Sequence, residues 1–208
     1  MTSALVLAAG DPISSDRIRQ FLPVDVVIAA DAGAHLANEA GIGIDVLVGD
    51  NDSIAPDLLE TLHRSSTHIE EHPADKDQTD LDLAIEVACG RGASEIIVAG
   101  GGGGRLDHLL GNAAVIAGRT DCSITWVLAE ELAYPVHDYR TIEVDPGTTV
   151  SVLPIGNDAS GVTLIGLKWP LTDADLTSSS SLGISNIALH TSITVSVTRG
   201  MVLVIVDR

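Results

Sequence analysis

Aromatic residues are nearly missing from this 208-residue chain: one Phe, two Tyr and two Trp, 2% of the whole. That excludes a core of stacked rings and leaves the interior to Val, Ile, Leu and Ala. Apolar residues still reach 45%, a share that supports a packed interior and excludes wholesale disorder. Lysine is equally sparse, limited to Lys76 and Lys168, and 11 basic residues face 29 acidic ones for a formal net charge of −18. A surface of that sign repels phosphate backbones, so nucleic acid is not an expected partner. Most of these acids read as solvated, because a metal site rarely needs more than about four carboxylates. The two cysteines, Cys89 and Cys122, are far apart and neither sits in a CxxC. They imply neither a disulfide framework nor a zinc site, and they fit a reducing, cytoplasmic location. No apolar run approaches the ~20 residues of a membrane span. The opening MTSALVLAAGD lacks a basic n-region and reads as a first strand, not a signal peptide.

What is present falls into two textures. Short β-branched runs, ALVLAAG (4–10), VDVVIAAD (24–31), IDVLVGD (44–50), EIIVAGG (95–101) and SITWVLA (123–129), alternate with candidate helices near 14–21, 33–40, 55–64, 77–89 and 105–118. THIEEH (67–72) is a weaker, more exposed strand candidate. Leu81, Ala84, Ile85 and Ala88 repeat at the spacing of one helical face. This alternation predicts a Rossmann-like α/β domain, a parallel sheet covered on both faces. Beyond about Glu130, alternating apolar and polar residues broken by Gly, Pro and Ser predict an antiparallel β-sandwich or small barrel. The expected domains are 1–132 and 133–208.

In a parallel α/β sheet, ligands bind beyond the carboxyl ends of the strands. Those ends hold acids and glycines here. Asp31 closes the second strand, and Asp50 and Asp52 close the third in GDND. Two carboxylates at that spacing suit one hard cation, although an Asx-turn explains the same residues. In DKDQTDLD (75–82), Asp77 or Thr79 is a candidate helix cap. Asp80, one turn beyond Asp77, is a candidate for the same cleft, and Lys76 for a phosphate. Gly100–Gly104 is neither a Walker A loop nor a dinucleotide fingerprint. Its N–H groups can still approach phosphate oxygens, with Arg105 offering a planar fork beside Asp107 and His108. An exposed Arg–Asp pair is the plainer reading of that loop. Trp169, between Lys168 and Pro170, is expected to present an accessible ring able to stack on a cationic heterocycle. Trp126 is the better candidate for core.

Taken in order, ADAGAHLANEAGIGIDVLVGDNDSI, DKDQTDLDLAI, GGGGRLDHLLGN, GLKWPL and GISN resemble the thiamine pyrophosphokinase family over nearly the whole chain. The resemblance implies an N-terminal α/β catalytic domain for ATP and Mg²⁺ and a C-terminal β-sandwich for thiamine. It also implies a homodimer with active sites between the catalytic domain of one subunit and the β domain of the other. The implied reaction moves a pyrophosphoryl group from ATP to the thiamine hydroxyl, with AMP leaving. By the same resemblance, Asp31, Asp50, Asp52 and Asp80 form the acidic Mg²⁺ and pyrophosphate cluster, with Asp50, Asp52 and Asp80 as metal ligands. Gln78 and Thr79 lie near the phosphates, Arg105 and Asp107 near the nucleotide, and Trp169, Ser185 and Asn186 on the thiamine side. The sequence departs from the family at Asn51, where a bulky apolar residue is usual, and altered packing behind that loop is expected. A pyrophosphokinase acting on a pterin-type alcohol and a non-catalytic nucleotide or thiamine sensor are the rival readings.

Overall fold

The structure is a computed structural model and describes residues 2–208. The chain divides into two compact units, Met1–Val115 with Asp121–Ala129, and Ile116–Thr120 with Glu130–Arg208.

The first unit holds six parallel strands: β1 (Thr2–Ala8), β2 (Val26–Ala30), β3 (Val46–Gly49), β4 (His68–Glu71), β5 (Ala93–Gly100) and β6 (Ser123–Val127). Their order is β6-β5-β1-β2-β3-β4. The intervening helices are α1 (Ser15–Arg19), α2 (Gly33–Ala40), α3 (Pro56–Arg64) and α4 (Asp80–Gly90), and α5 (Leu106–Gly118) begins after β5. Residues 4–8, all of β2 and all of β3 are buried. Such continuous burial is what a parallel sheet covered on both faces requires. β4 lies at the edge, where only its outer residues His68 and Glu71 are exposed. The sequence runs outward from β1 through β2, β3 and β4, then returns to β5 on the other side of β1. This reversal of strand order opens a crevice at the carboxyl ends of the central strands.

Two glycines permit that centre to close. A Cβ on Gly33 would lie 2.0 Å from the Leu7 carbonyl oxygen, so only glycine lets the start of α2 rest on β1. A Cβ on Gly100, where φ is +99°, would lie 1.8 Å from the Ala8 carbonyl oxygen. Trp126 is 2% exposed and donates from Nε1 to the Gly100 carbonyl at 2.7 Å, which secures the start of the glycine run.

The second unit contains two antiparallel sheets. One orders as β12 (Asn186–Ile187), β9 (Thr149–Pro154), β14 (Val202–Asp207) and β7 (Glu131–Val136). The other orders as β11 (Leu171–Leu176), β10 (Ala159–Ile165), β13 (Ser192–Ser196) and β8 (Tyr139–Glu143). Val150 and Val152 of β9, Val162 and Leu164 of β10, and Ile193 and Val195 of β13 are buried at alternate positions. That alternation is the pattern of two sheets sharing one apolar interior. Expected fold class and observed architecture agree.

Some local details differ from expectation. Helix α4 starts at Asp80, because Thr79 is its N-cap and accepts from the Asp82 N–H at 3.2 Å. Asp77 therefore lies outside the helix, and no helical turn joins it to Asp80 as the sequence had suggested.

Candidate active site

The acids at the carboxyl ends of β2 and β3 and at the head of α4 converge. Asp31 follows β2 with φ +45°, a left-handed conformation that Asp tolerates better than most residues. This turns its carboxylate toward the loop after β3. There Asp50 Oδ1 accepts from the Asp52 N–H at 3.2 Å, so the Asx-turn read from GDND is real. The turn does not exclude a ligand role. One carboxylate oxygen each of Asp31, Asp50 and Asp52 lies within 4.8 Å of the others. Asp80 completes the group: a Cβ on Gly49 would lie 3.1 Å from both Asp31 Cβ and Asp80 Oδ1.

Asp31 and Asp80 border a cavity of about 350 Å³ that is also lined by Ser53, Thr79, His108 and Asn112. Burial pushes the Asp31 carboxyl above its ordinary value. The nearby Ser53 hydroxyl and the Ala32 N–H oppose the shift, and the charges of Asp80 and Asp50 add to it. Asp31 Oδ1 and Asp80 Oδ1 are buried without a hydrogen-bond partner. Lys76 Nζ approaches Asp80 Oδ1 to 3.1 Å, an ion-pair distance without hydrogen-bond alignment. Buried carboxylate oxygens left unsatisfied are costly. An all-oxygen donor set with orphaned oxygens fits a hard divalent cation such as Mg²⁺.

The other expected residues divide. Thr79 caps α4 and lines the cavity. Gln78 is turned along α4 instead, donating to Asp82 Oδ2 at 3.3 Å and Glu86 Oε1 at 2.8 Å. Arg105 and Asp107 form an exposed ion pair at 2.6 Å at the start of α5. The bond from Arg105 holds the Asp107 carboxyl below its usual range. Their neighbour His108 reaches the cavity while they face solvent. Asn51 is 7% exposed at φ +62°, and its Oδ1 has no partner.

Two lining residues escaped the sequence reading. Ser53 donates to Asp52 Oδ1 at 2.8 Å, and Asn112 donates to the Gly101 carbonyl at 2.8 Å. The spacing of His108 and Asn112, four apart on one helix face, was the available signal for the second.

In the second unit, Trp169, Ile184 and Asn186 help to line a cavity of about 290 Å³. Trp169 is 53% exposed, and Lys168 Nζ sits 4.6 Å from its ring centroid. Asn186 is buried, and its side chain is committed to the Trp169 backbone. Oδ1 accepts from the Trp169 N–H at 3.0 Å, and Nδ2 donates to the Trp169 carbonyl at 2.6 Å. Asn186 thus positions the tryptophan. Ser185, at φ +58°, donates its N–H to Ser151 Oγ at 3.0 Å.

Residues 21–126 match the family model "Thiamin pyrophosphokinase, catalytic domain", and residues 134–202 match "Thiamin pyrophosphokinase, vitamin B1 binding domain". The thiamine pyrophosphokinase of Bacillus subtilis (strain 168) is 31% identical over 182 residues, 86% of this chain and 85% of that protein. Thiamine pyrophosphokinase 1 of Oryza sativa subsp. japonica is 30% identical over 158 residues, 69% of this chain and 58% of that protein. Among solved structures, the Bacillus subtilis thiamine pyrophosphokinase crystal structure matches with a TM-score of 0.87 at 28% identity, covering 99% of both chains. The thiamin pyrophosphokinase from Candida albicans, at 15% identity and a TM-score of 0.81 over 99% of this chain and 89% of that one, is a likeness of fold.

Proposed function

The chain belongs to the thiamin pyrophosphokinase family, and from that membership we propose how its residues divide the transfer of a pyrophosphoryl group from ATP to the hydroxyl of thiamine. The observation that carries the reading is the cluster of Asp31, Asp50 and Asp52, with Asp31 and Asp80 lining one cavity and each keeping a buried oxygen that accepts no hydrogen bond.

Asp31, Asp50 and Asp52, whose oxygens lie together, would hold Mg²⁺; this puts Asp31 in place of Asp80 in the expected ligand set, and Asp80, paired with Lys76, stands beside them. The bound ion supplies charge neutralisation at the phosphate oxygens. Thr79, His108 and Asn112 shape the cavity around the triphosphate. The N–H groups of the glycine run and the Arg105 guanidinium provide phosphate donors. The thiamine hydroxyl oxygen bonds to the β-phosphorus as the bond from that phosphorus to the α–β bridging oxygen breaks, and AMP leaves with that oxygen. The hydroxyl proton passes to a carboxylate of the cluster. Such a reaction depends on positioning and electrostatics more than on covalent participation. Trp169 offers its ring to the cationic heterocycle, and Asn186 holds that ring in place. The acidic exterior favours a cationic acceptor and makes the metal necessary for ATP. We read the working form as a cytoplasmic homodimer, on the family resemblance. Among the described residues no helix is long and apolar enough to cross a membrane.

The test is AMP release from ATP in Mg²⁺, with and without thiamine. Asp50→Ala and Asp80→Ala are each expected to lower turnover about a hundredfold or more. A folded Asp50→Ala enzyme with near-normal turnover would defeat the metal assignment. AMP release with a hydroxymethyl pterin and not with thiamine would reassign the acceptor. Binding of both ligands without any AMP release would mark a sensor.

A further inference from the structure

The only two cysteines of the chain, 33 positions apart, meet in the first unit. Cys89 lies in the last turn of α4, and Cys122 immediately precedes β6. Parallel strands and returning helices put this place at the amino edge of the sheet. It is about 13 Å along α4 from Asp80, at the opposite end of the helix from the acidic cavity. Cys89 Sγ and Cys122 Sγ stand 3.8 Å apart as half-buried thiols not joined by a disulfide. A carboxylate oxygen of Asp121 joins them, and the three atoms all lie within 4.8 Å of one another.

Cys89 donates its S–H to Cys122 Sγ, and Asp121 bonds to the Cys122 thiol, so the three side chains already form one connected cluster. A tetrahedral centre with metal–sulfur bonds of about 2.3 Å puts its two sulfurs about 3.8 Å apart, which is the separation seen here. We propose that Cys89, Asp121 and Cys122 form a binding site for a soft divalent cation of the zinc and cadmium class, with water in the fourth position. The ligands come from two separate segments, so an ion there ties the end of α4 to the start of β6. Asp121 is exposed and leaves a route of entry. On binding, two S–H bonds break, two metal–sulfur bonds form, and both protons go to solvent. Thiolate ligands select soft ions, while carboxylate clusters such as Asp31, Asp50 and Asp52 suit Mg²⁺. The two ends of α4 therefore sort cations by softness.

Because the chain has no other sulfur nucleophile, an ultraviolet thiolate-to-cadmium charge-transfer band reports on this pair alone. Reduced, chelator-stripped protein is titrated with Cd²⁺ in excess Mg²⁺, using a phosphine as the reductant. The expected band saturates at a single equivalent per chain. Cys89→Ser and Cys122→Ser, checked for folding by circular dichroism, are each expected to abolish this bidentate band. Asp121→Asn keeps both thiols and is expected to weaken Cd²⁺ at least about tenfold. Absence of the band in folded wild-type protein overturns the site. So does undiminished affinity in Asp121→Asn.

Discussion

Asp31 combines a left-handed backbone, a buried oxygen without a partner and a carboxyl pushed above its ordinary range. Its folded-state pKa exceeds its unfolded value, so the native state binds the proton more tightly. Ionised Asp31 therefore costs stability. The cost is absent below the unfolded value of about 3.9 and complete once the pH has passed the folded value. Asp31→Asn removes it while keeping a side chain that accepts positive φ. In metal-free buffer at neutral pH the variant is expected to melt about 2 °C higher. That gain should shrink as the pH falls through the carboxylate range, and turnover should be lost throughout. Thermal melts at several pH values check the sign. Trp169 supports a second expectation. Its ring already carries the Lys168 ammonium, which a cationic substrate has to displace. Lys168→Met is expected to lower the thiamine KM about two- to fivefold, the equivalent of an exposed cation–π contact. Trp169→Ala should raise that KM and leave the KM for ATP unchanged. Steady-state kinetics with each substrate varied in turn separates the two effects. The directions of individual side chains were the least readable part of the sequence. Gln78 was expected near phosphates and instead bonds to Asp82 and Glu86. Asn186 was expected on the thiamine side; it helps to line the cavity beside Trp169, with its side-chain amide bonded to the Trp169 backbone. In both cases an amide beside competing backbone or carboxylate partners can be satisfied in several ways, and spacing does not choose among them.

Among the elements, β-branched runs ending in Gly or Asp gave the parallel strands, and the 3.6-residue period gave α4. Their contact with one another is less visible in a linear sequence. Gly33 shows why: it looks like part of an ordinary Ala-Gly-Ala stretch, yet its missing side chain is the space occupied by the Leu7 carbonyl. Gly33→Ala is expected to cost about 3 kcal/mol or more, the upper end for overpacking, because the obstacle is backbone and cannot rotate away. Urea unfolding measures the loss. The convergence of Asp31, Asp50, Asp52 and Asp80 was readable because strand ends of one parallel sheet share an edge. Ser53 was not, because a hydroxyl in a loop carries no periodic signature, and Asn112 was signalled only by its spacing of four from His108 on α5.

For the whole molecule, the imbalance of 29 acids to 11 bases dominates. Like charges at this density repel one another in the compact state and relax when the chain expands. Added NaCl is expected to raise the melting temperature steeply up to about 0.15 M and gently beyond, since by then the screening length has fallen to about 8 Å. A melting temperature independent of salt would mean that the acids are already compensated in the folded chain.

The scarcity of rings has one practical result. Of the two indoles, Trp126 is sealed in the first unit against the glycine run, and Trp169 stands in solvent in the second. Their fluorescence should separate by colour, blue-shifted for Trp126 and red-shifted for Trp169, with only the latter readily quenched by a dissolved collider. One emission spectrum thus follows both halves of the chain without an attached dye.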